Sequence, residues 1–216
     1  MKPPQHYTKE ILKKVLPKYC RGRVIDVGAG HGKYKGLISK FADFYTSVDD
    51  GSSAYQFDEK SRGPDIVSNV LDMPLNDSQF DTVICTEVLE HVEDPFKLTK
   101  ELSRILKPGG YVIFSSSWVA PYHQEPKDYW RFSRDAYQLL CERNGLKIAE
   151  IYTKGGFFSL ILYFVNRNID LNTKKIKKVR AALGRINMVF EKIAEKMDKL
   201  YKTKDTIGHL VVAKKL

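Results

Sequence analysis

The stretch that decides the reading is Arg23–Gly32, R-V-I-D-V-G-A-G-H-G. Val24, Ile25 and Val27 form a short apolar run that reads as a buried strand, with an acid, Asp26, near its carboxyl end. The run then breaks into Gly28, Gly30 and Gly32, with Ala29 between the first two. Glycine at alternate positions lets the chain turn tightly and lets a ligand lie against bare backbone, where a Cβ would intrude. A strand that ends in such a loop and leads into a helix is the usual ligand crevice of a parallel α/β sheet. A dinucleotide fingerprint requires G-x-G-x-x-G, but the sixth position counted from Gly28 is Lys33, and the third glycine comes one residue early. That spacing speaks against an NAD-dependent oxidoreductase. The order D-x-G-x-G-x-G, with the acid two residues ahead of the first glycine, suits a ligand carrying a cationic ammonium group.

This order resembles motif I of the class I S-adenosylmethionine-dependent methyltransferases, and the likeness extends outward. Phe44–Val48 reads as a second strand ending in Asp49 and Asp50, and an acid there can accept hydrogen bonds from both hydroxyls of a ribose. Asp49, the first acid past the apolar run, is the expected ribose ligand. Asp65–Ser68 reads as a brief third strand, with polar loop or a short helix over Gly51–Gly63 before it. The run L-D-M-P-L-N-D-S-Q-F-D-T-V-I-C-T-E-V-L-E-H-V looks like the adenine-binding turn and fourth strand of the type-11 group of these enzymes. The resemblance implies that Asp72 approaches the adenine amino group, that Met73 lies on the ring, and that Thr86 and His91 belong to the cofactor side. Asp94-Pro95 is a helix start, and the following K-P-G-G-Y-V-I-F (Lys107–Phe114) reads as a helix end turning into a fifth strand, Tyr111–Ser115. Together the likeness runs without a gap from about Arg23 to Ser116. The implied fold is α/β, a doubly wound, mostly parallel seven-stranded sheet, and the implied cofactor is S-adenosyl-L-methionine.

Past the fifth strand, W-V-A-P-Y-H-Q-E-P-K-D-Y-W-R-F-S is dense in aromatics and should overhang the same crevice. Aromatic faces with polar tips suit a sugar ring or a planar substrate, so Tyr122, Trp130 and Arg131 are the expected substrate contacts. The pattern H-x-x-P-x-D-Y-W-R-F resembles a bacterial methyltransferase subgroup associated with polysaccharide synthesis, which implies a small-molecule, lipid-linked or saccharide-hydroxyl acceptor. A sulfonium methyl is already electrophilic, so positioning does much of the work and no metal is required in principle. A hydroxyl acceptor still gains from a base; His123 is the candidate, with Asp128 orienting it or binding substrate hydroxyls.

Ser133 caps a helix over Arg134–Arg143, and Leu146–Tyr152 and Thr206–Ala213 read as the sixth and seventh strands. In the family a short connection joins those two; here more than fifty residues part them, a helical basic insertion at about 157–204 within one domain spanning 1–216. From Arg167 to Lys204 twelve bases stand against four acids, so much of the net charge of +10 belongs to this segment. Ile176, Val179, Leu183, Ile186, Val189, Phe190, Ile193, Ala194 and Met197 follow helical spacing between the bases. A lid folded on the domain, a surface lying on anionic lipid and a dimer interface all remain open. Nucleic acid is a poorer fit, since aromatic and basic residues are not interleaved there.

The composition, 43% hydrophobic and 29% charged over 216 residues, is that of a globular domain with a proper core. Cys20, Cys85 and Cys141 lie far apart, which argues against a zinc site or a disulfide frame and fits a reducing cytoplasm, and no metal site is expected. The first residues lack an apolar signal core, so the expected location is cytoplasmic, with peripheral contact at the inner membrane face if the insertion binds lipid. A second reading is a cofactor-binding module that has lost catalysis and acts through its basic helices.

Overall fold

A computed structural model describes residues 4–51, 63–123, 126–173 and 177–216; side chains within 168–185 are not described. Most of the loop expected over Gly51–Gly63, part of the aromatic run (Gln124, Glu125) and the apolar positions Ile176, Val179 and Leu183 therefore lie outside the described residues or side chains. The chain opens with α1 (Pro4–Tyr19) and β1 (Arg23–Val27). A short α2 (Lys35–Ile38), β2 (Phe44–Asp49), β3 (Ile66–Val67) and β4 (Phe80–Thr86) follow, and a 3-10 turn covers Leu89–His91. Then come α3 (Pro95–Ile105), β5 (Leu106–Ser117), α4 (Arg134–Glu142), β6 (Leu146–Thr153), α5 (Phe157–Thr173), α6 (Lys177–Leu200) and β7 (Gly208–Lys215).

One seven-stranded sheet runs β3-β2-β1-β4-β5-β7-β6. β1 pairs in parallel with β2 and β4, β2 with β3, and β4 with β5. β7 lies antiparallel between β5 and β6. The order reverses at β1, which sits centrally and sends β2 to one side while β4 takes the other. That reversal opens a crevice beyond the carboxyl ends of β1 and β4. β1 is buried at Val24, Ile25 and Val27 alike, as a strand covered on both faces must be. One core layer gathers Ile25, Val27, Phe80, Val83, Phe114 and Tyr137 against α3 and α4; the other packs Leu12, Val15 and Leu16 of α1 on Val24, Ile84 and Leu210.

One local expectation changes. Lys107–Gly110 does not separate helix from strand: the chain passes from Ile105 straight into β5, and a register irregularity between Phe80 and Thr82 absorbs the extra residues. In α6 the helical face turned inward is Asn187, Glu191 and Ala194, with Asn187 Nδ2 donating to Glu191 Oε1 over 3.0 Å. Ile186, Val189, Phe190 and Ile193 are exposed instead. Asp198, on the inward side, accepts the backbone N–H groups of Gly156 (2.9 Å), Phe158 (2.8 Å) and Ser159 (3.2 Å), so the far end of α6 satisfies the first turn of α5. Among the described residues no helix is long and apolar enough to cross a membrane.

Candidate active site

The loop after β1 has Gly28, Gly30 and Gly32 all at positive φ (+69°, +51° and +65°). A Cβ on Gly28 would lie far inside van der Waals contact with Val88 Cγ2, whereas one on Gly30 would meet open space. The first glycine is needed for close packing on the turn after β4, and the second leaves bare backbone toward the crevice. Gly28 N and Ala29 N both donate to Val48 O, at 2.8 and 3.2 Å, which pins the loop to the end of β2. Asp49 completes that joint: Oδ2 accepts from Gly30 N and Oδ1 from Gly51 N, each at 2.9 Å. Each carboxylate oxygen keeps a further lone pair for a ligand hydroxyl.

Asp26 is 3% exposed and sits beneath the loop rather than opening on it, with Tyr45 Oη donating to Oδ2 over 3.1 Å. Burial, with Asp49 nearby, outweighs that hydrogen bond and raises Asp26 to about 7. Thr86 ends β4, half-buried opposite Ser115. Asp72 is exposed in the turn after β3, where its amide donates to Asn69 O. Met73 is 3% exposed and its side chain packs in the core. Its backbone explains the burial, because its N–H donates to Glu101 Oε2 and its carbonyl accepts from Arg104.

Past β4 the chain makes a turn that sequence reasoning underread. Glu87 takes a left-handed φ of +58°, costly for a side chain with a Cβ. Its Oε1 holds it there, accepting from Lys154 Nζ, from Ser115 Oγ at 2.5 Å and from Thr8 Oγ1 at 3.3 Å. Lys154 is fully buried and also donates to Ser116 O over 3.2 Å. Burial works to raise Glu87, but the lysine charge and these donors hold it below the usual carboxylate range. Lys154 lies 67 residues away in sequence, with nothing local to announce it. Glu90, in the 3-10 turn, is 1% exposed, and neither carboxylate oxygen has a hydrogen-bond partner. The charge on Lys154, the Glu90 amide and the Ser116 hydroxyl pull its pKa down only in part. Burial, reinforced by the charge on Glu87, raises it to about 7.

The aromatic segment is laced onto this turn. Tyr129 N and Trp130 N donate to Glu90 O at 2.8 and 3.3 Å, and Trp130 Nε1 donates to Val92 O over 3.0 Å. His91 Nδ1 lies 2.5 Å from Lys127 O, and the His91 and His123 rings meet edge to face at 4.9 Å. His91 titrates below its ordinary range because it is buried, only partly offset by that carbonyl. Asp128 and Arg131 pair with each other inside the loop. The Asp128 side chain is fully buried and receives Arg131 Nη1 (2.6 Å), Arg131 Nη2 (2.8 Å) and His123 N (2.9 Å). Burial would raise it, yet the guanidinium and the amide bring it down to about 2. With both oxygens spent it is a brace for His123, not a proton acceptor. Arg131 is equally engaged, with Asp128 and with the carbonyls of Ala120 and Trp130. Tyr122 and Trp130 remain exposed at its rim. From α5, Arg167 Nη2 donates to Tyr122 O over 3.3 Å, so the insertion touches the acceptor loop.

Residues 25–114 match the family described as a methyltransferase domain. An uncharacterised protein of Methanocaldococcus jannaschii, MJ1123, is 30% identical over 179 residues, which is 81% of this chain and 80% of that one. A tRNA U34 carboxymethyltransferase of Campylobacter curvus is 32% identical over 59% of this chain, and a ubiquinone biosynthesis O-methyltransferase of Paracidovorax citrulli is 31% identical over 44%. The chain spans 49% and 43% of the length of those two enzymes. The solved structure of a SAM-dependent methyltransferase from Archaeoglobus fulgidus superposes with a TM-score of 0.63 at 19% identity, covering 99% of this chain and 95% of that one, and so shares the fold. The glycine cradle with its bare second position, and a buried acid at the end of β2, fit an adenosine carrying an amino-acid tail. The chain belongs to the methyltransferase-domain family, as a class I enzyme whose cofactor is S-adenosylmethionine.

Proposed function

We propose that this enzyme methylates an oxygen of a small or lipid-linked acceptor, a saccharide hydroxyl being the class that suits its aromatic rim. When bound, S-adenosylmethionine supplies a sulfonium methyl open to attack by an oxygen, with S-adenosylhomocysteine as the leaving product. The residues assigned to hold it are Gly28, Ala29 and Gly30 along its tail and Asp49 at the ribose. Asp72 is assigned to the adenine side and Thr86 and His91 to the floor, while Asp26 acts on the cationic tail from beneath the loop. One observation carries the assignment of an O–H acceptor. His123 Nδ1 lies 3.0 Å from Pro121 O, and a carbonyl only accepts, so Nδ1 holds the proton and Nε2 keeps a lone pair. His123 is then a base able to take the acceptor proton, steadied by Asp128. Exposed Tyr122 and Trp130 give flat faces for a sugar ring. The relative named for ubiquinone biosynthesis is an O-methyltransferase, which agrees with an oxygen acceptor.

The test is turnover of isotope-labelled S-adenosylmethionine against panels of saccharide, phenol and amine acceptors. O-methylated product with a saccharide supports the whole reading. Product only on nitrogen overturns the oxygen acceptor, and no product from any cell extract overturns the catalytic reading and favours a module that binds the donor without using it. Cytoplasmic action at the inner face of a membrane belongs to the same proposal. It is supported by exposed Ile186, Val189, Phe190 and Ile193 beside Lys192, Lys196 and Lys199 on α6. Co-sedimentation with anionic vesicles should fall sharply in Phe190→Glu/Ile193→Glu; equal pelleting of both proteins removes the membrane part.

A further inference from the structure

Glu90, His91 and His123 each offer one ligand atom, and these atoms all lie within 4.8 Å of one another. Two come from the 3-10 turn after β4 and the third from the acceptor loop, so the cluster exists only once the sheet has assembled. Its polar groups are left without the partners that buried groups normally find. Both carboxylate oxygens of Glu90 are buried and unbonded, and so is His91 Nε2. Each imidazole is also turned for ligation. His91 Nδ1 donates to Lys127 O at 2.5 Å and His123 Nδ1 to Pro121 O at 3.0 Å, which leaves a lone pair on Nε2 of both rings. Metal-bound histidines are oriented in this way, by a backbone carbonyl or carboxylate on the far nitrogen. Asp128, which takes the His123 amide and lies 3.3 Å from its Nδ1, supplies the outer anion.

We infer that Glu90, His91 and His123 form a binding site for a divalent first-row transition cation at the acceptor end of the crevice. Two neutral imidazoles and one carboxylate suit Zn²⁺, Mn²⁺ or Fe²⁺, whereas Mg²⁺ and Ca²⁺ take oxygen ligands. Ligand atoms at about 2.0–2.2 Å from a shared ion stand at most roughly 4.4 Å apart, so small side-chain rotations suffice to close the set. Three protein ligands leave at least one position open, and with the cation in place His123 Nε2 would be a ligand and no longer a base, so an acceptor hydroxyl at that position would lose its proton to solvent at neutral pH. That use rests on the oxygen-acceptor reading above; the site itself does not. The site departs from the expectation of no metal, which rested on the electrophilic donor and on the cysteine spacing and did not weigh a histidine–carboxylate set.

The experiment is calorimetric titration of the full chain, treated with chelator and dialysed, with ZnCl₂ and with MnCl₂ in the absence of donor and acceptor. One equivalent should bind, and Glu90→Gln and His123→Gln should each weaken it at least tenfold. His123 lies in a loop, so His123→Gln keeps the test valid if Glu90→Gln fails to fold; thermal unfolding checks both. Absence of stoichiometric binding, or variants that bind as the parent does, overturns the site. Intact cation binding without any O-methylated product supports the site and faults the acceptor. O-methylation that survives in a protein unable to bind either cation does the reverse.

Discussion

Replacing Lys154 by methionine isolates the ion pair that holds Glu87 in its left-handed conformation. The lysine side chain is fully buried and that of Glu87 only 20% exposed, so removing the cation leaves a carboxylate largely out of water. Breaking a buried pair from one side costs about 3–5 kcal/mol. Ser115 and Thr8 still donate to Glu87 and some solvent reaches it, so the low end, about 3 kcal/mol, is expected. For a chain of this size that corresponds to roughly 6–12 °C in Tm. The pH dependence is the sharper readout. In the parent, Glu87 titrates below its ordinary range, so its contribution is present above the unfolded pKa and lost as pH falls through the folded one. Without Lys154 burial dominates and the folded pKa rises; stability is then highest at low pH and lost as pH climbs. Urea unfolding from pH 5 to 8 should therefore show a deficit that grows with pH. Glu87→Gln/Lys154→Met should be more stable than Lys154→Met alone, because no charge is left stranded. A Lys154→Met protein within about 1 kcal/mol of the parent, with an unchanged pH slope, would refute the reasoning.

Other perturbations probe the donor side. Gly28→Ala combines a left-handed Cβ with a clash on Val88 and should cost about 2–5 kcal/mol, of which Val88→Ala restores the steric part; denaturant titration of both proteins checks this. Asp49→Ala should weaken S-adenosylmethionine binding about 10- to 150-fold by calorimetry, the value of charge-assisted hydrogen bonds, and a change under threefold would remove Asp49 from the ribose site. Asp26 is raised to about 7, so it stabilises the ligand-free chain below about pH 4 and that stability is lost as pH rises toward 7. The loss is up to about 4 kcal/mol. Asp26→Asn should flatten this limb, leaving the smaller one of the same sign from Glu90.

What could be read from the sequence was what neighbouring residues decide between themselves. The apolar run before Gly28 became β1, and the two helix starts hold: Asp94 Oδ1 accepts from Lys97 N at 2.9 Å and Ser133 Oγ from Ala136 N at 3.2 Å. The reading weakened wherever a side chain's partner is distant in sequence. Periodicity in α6 revealed a stripe of apolar residues but not which stripe faces the domain. Asn187, Glu191, Ala194 and Asp198 share an equally good helical face, and Asp198 was needed at the start of α5. Met73 was assigned by likeness to a turn, whereas its burial follows from Glu101 and Arg104 on α3. Glu90 was visible in E-V-L-E-H, but nothing nearby reveals that its carboxylate would be buried without a hydrogen bond.

The two halves of the crevice therefore have different origins. The donor half is one continuous piece of chain, from β1 to β5, and residues 25–114 of the family match cover nearly all of it. The acceptor half is assembled from the segment after β5, from Lys154 just past β6, and from α5, whose Arg167 reaches Tyr122 O. Joining these pieces depends on the insertion, because Asp198 must close onto the first turn of α5 before that helix can lie beside the loop. Enzymes that match 44% or 59% of this chain can share the donor machinery while differing in everything that meets the acceptor. The likeness to MJ1123, across 81% of this chain, extends beyond the donor half. If the insertion helps to build the acceptor pocket, replacing it with a short β6–β7 connection should abolish turnover and leave donor affinity intact.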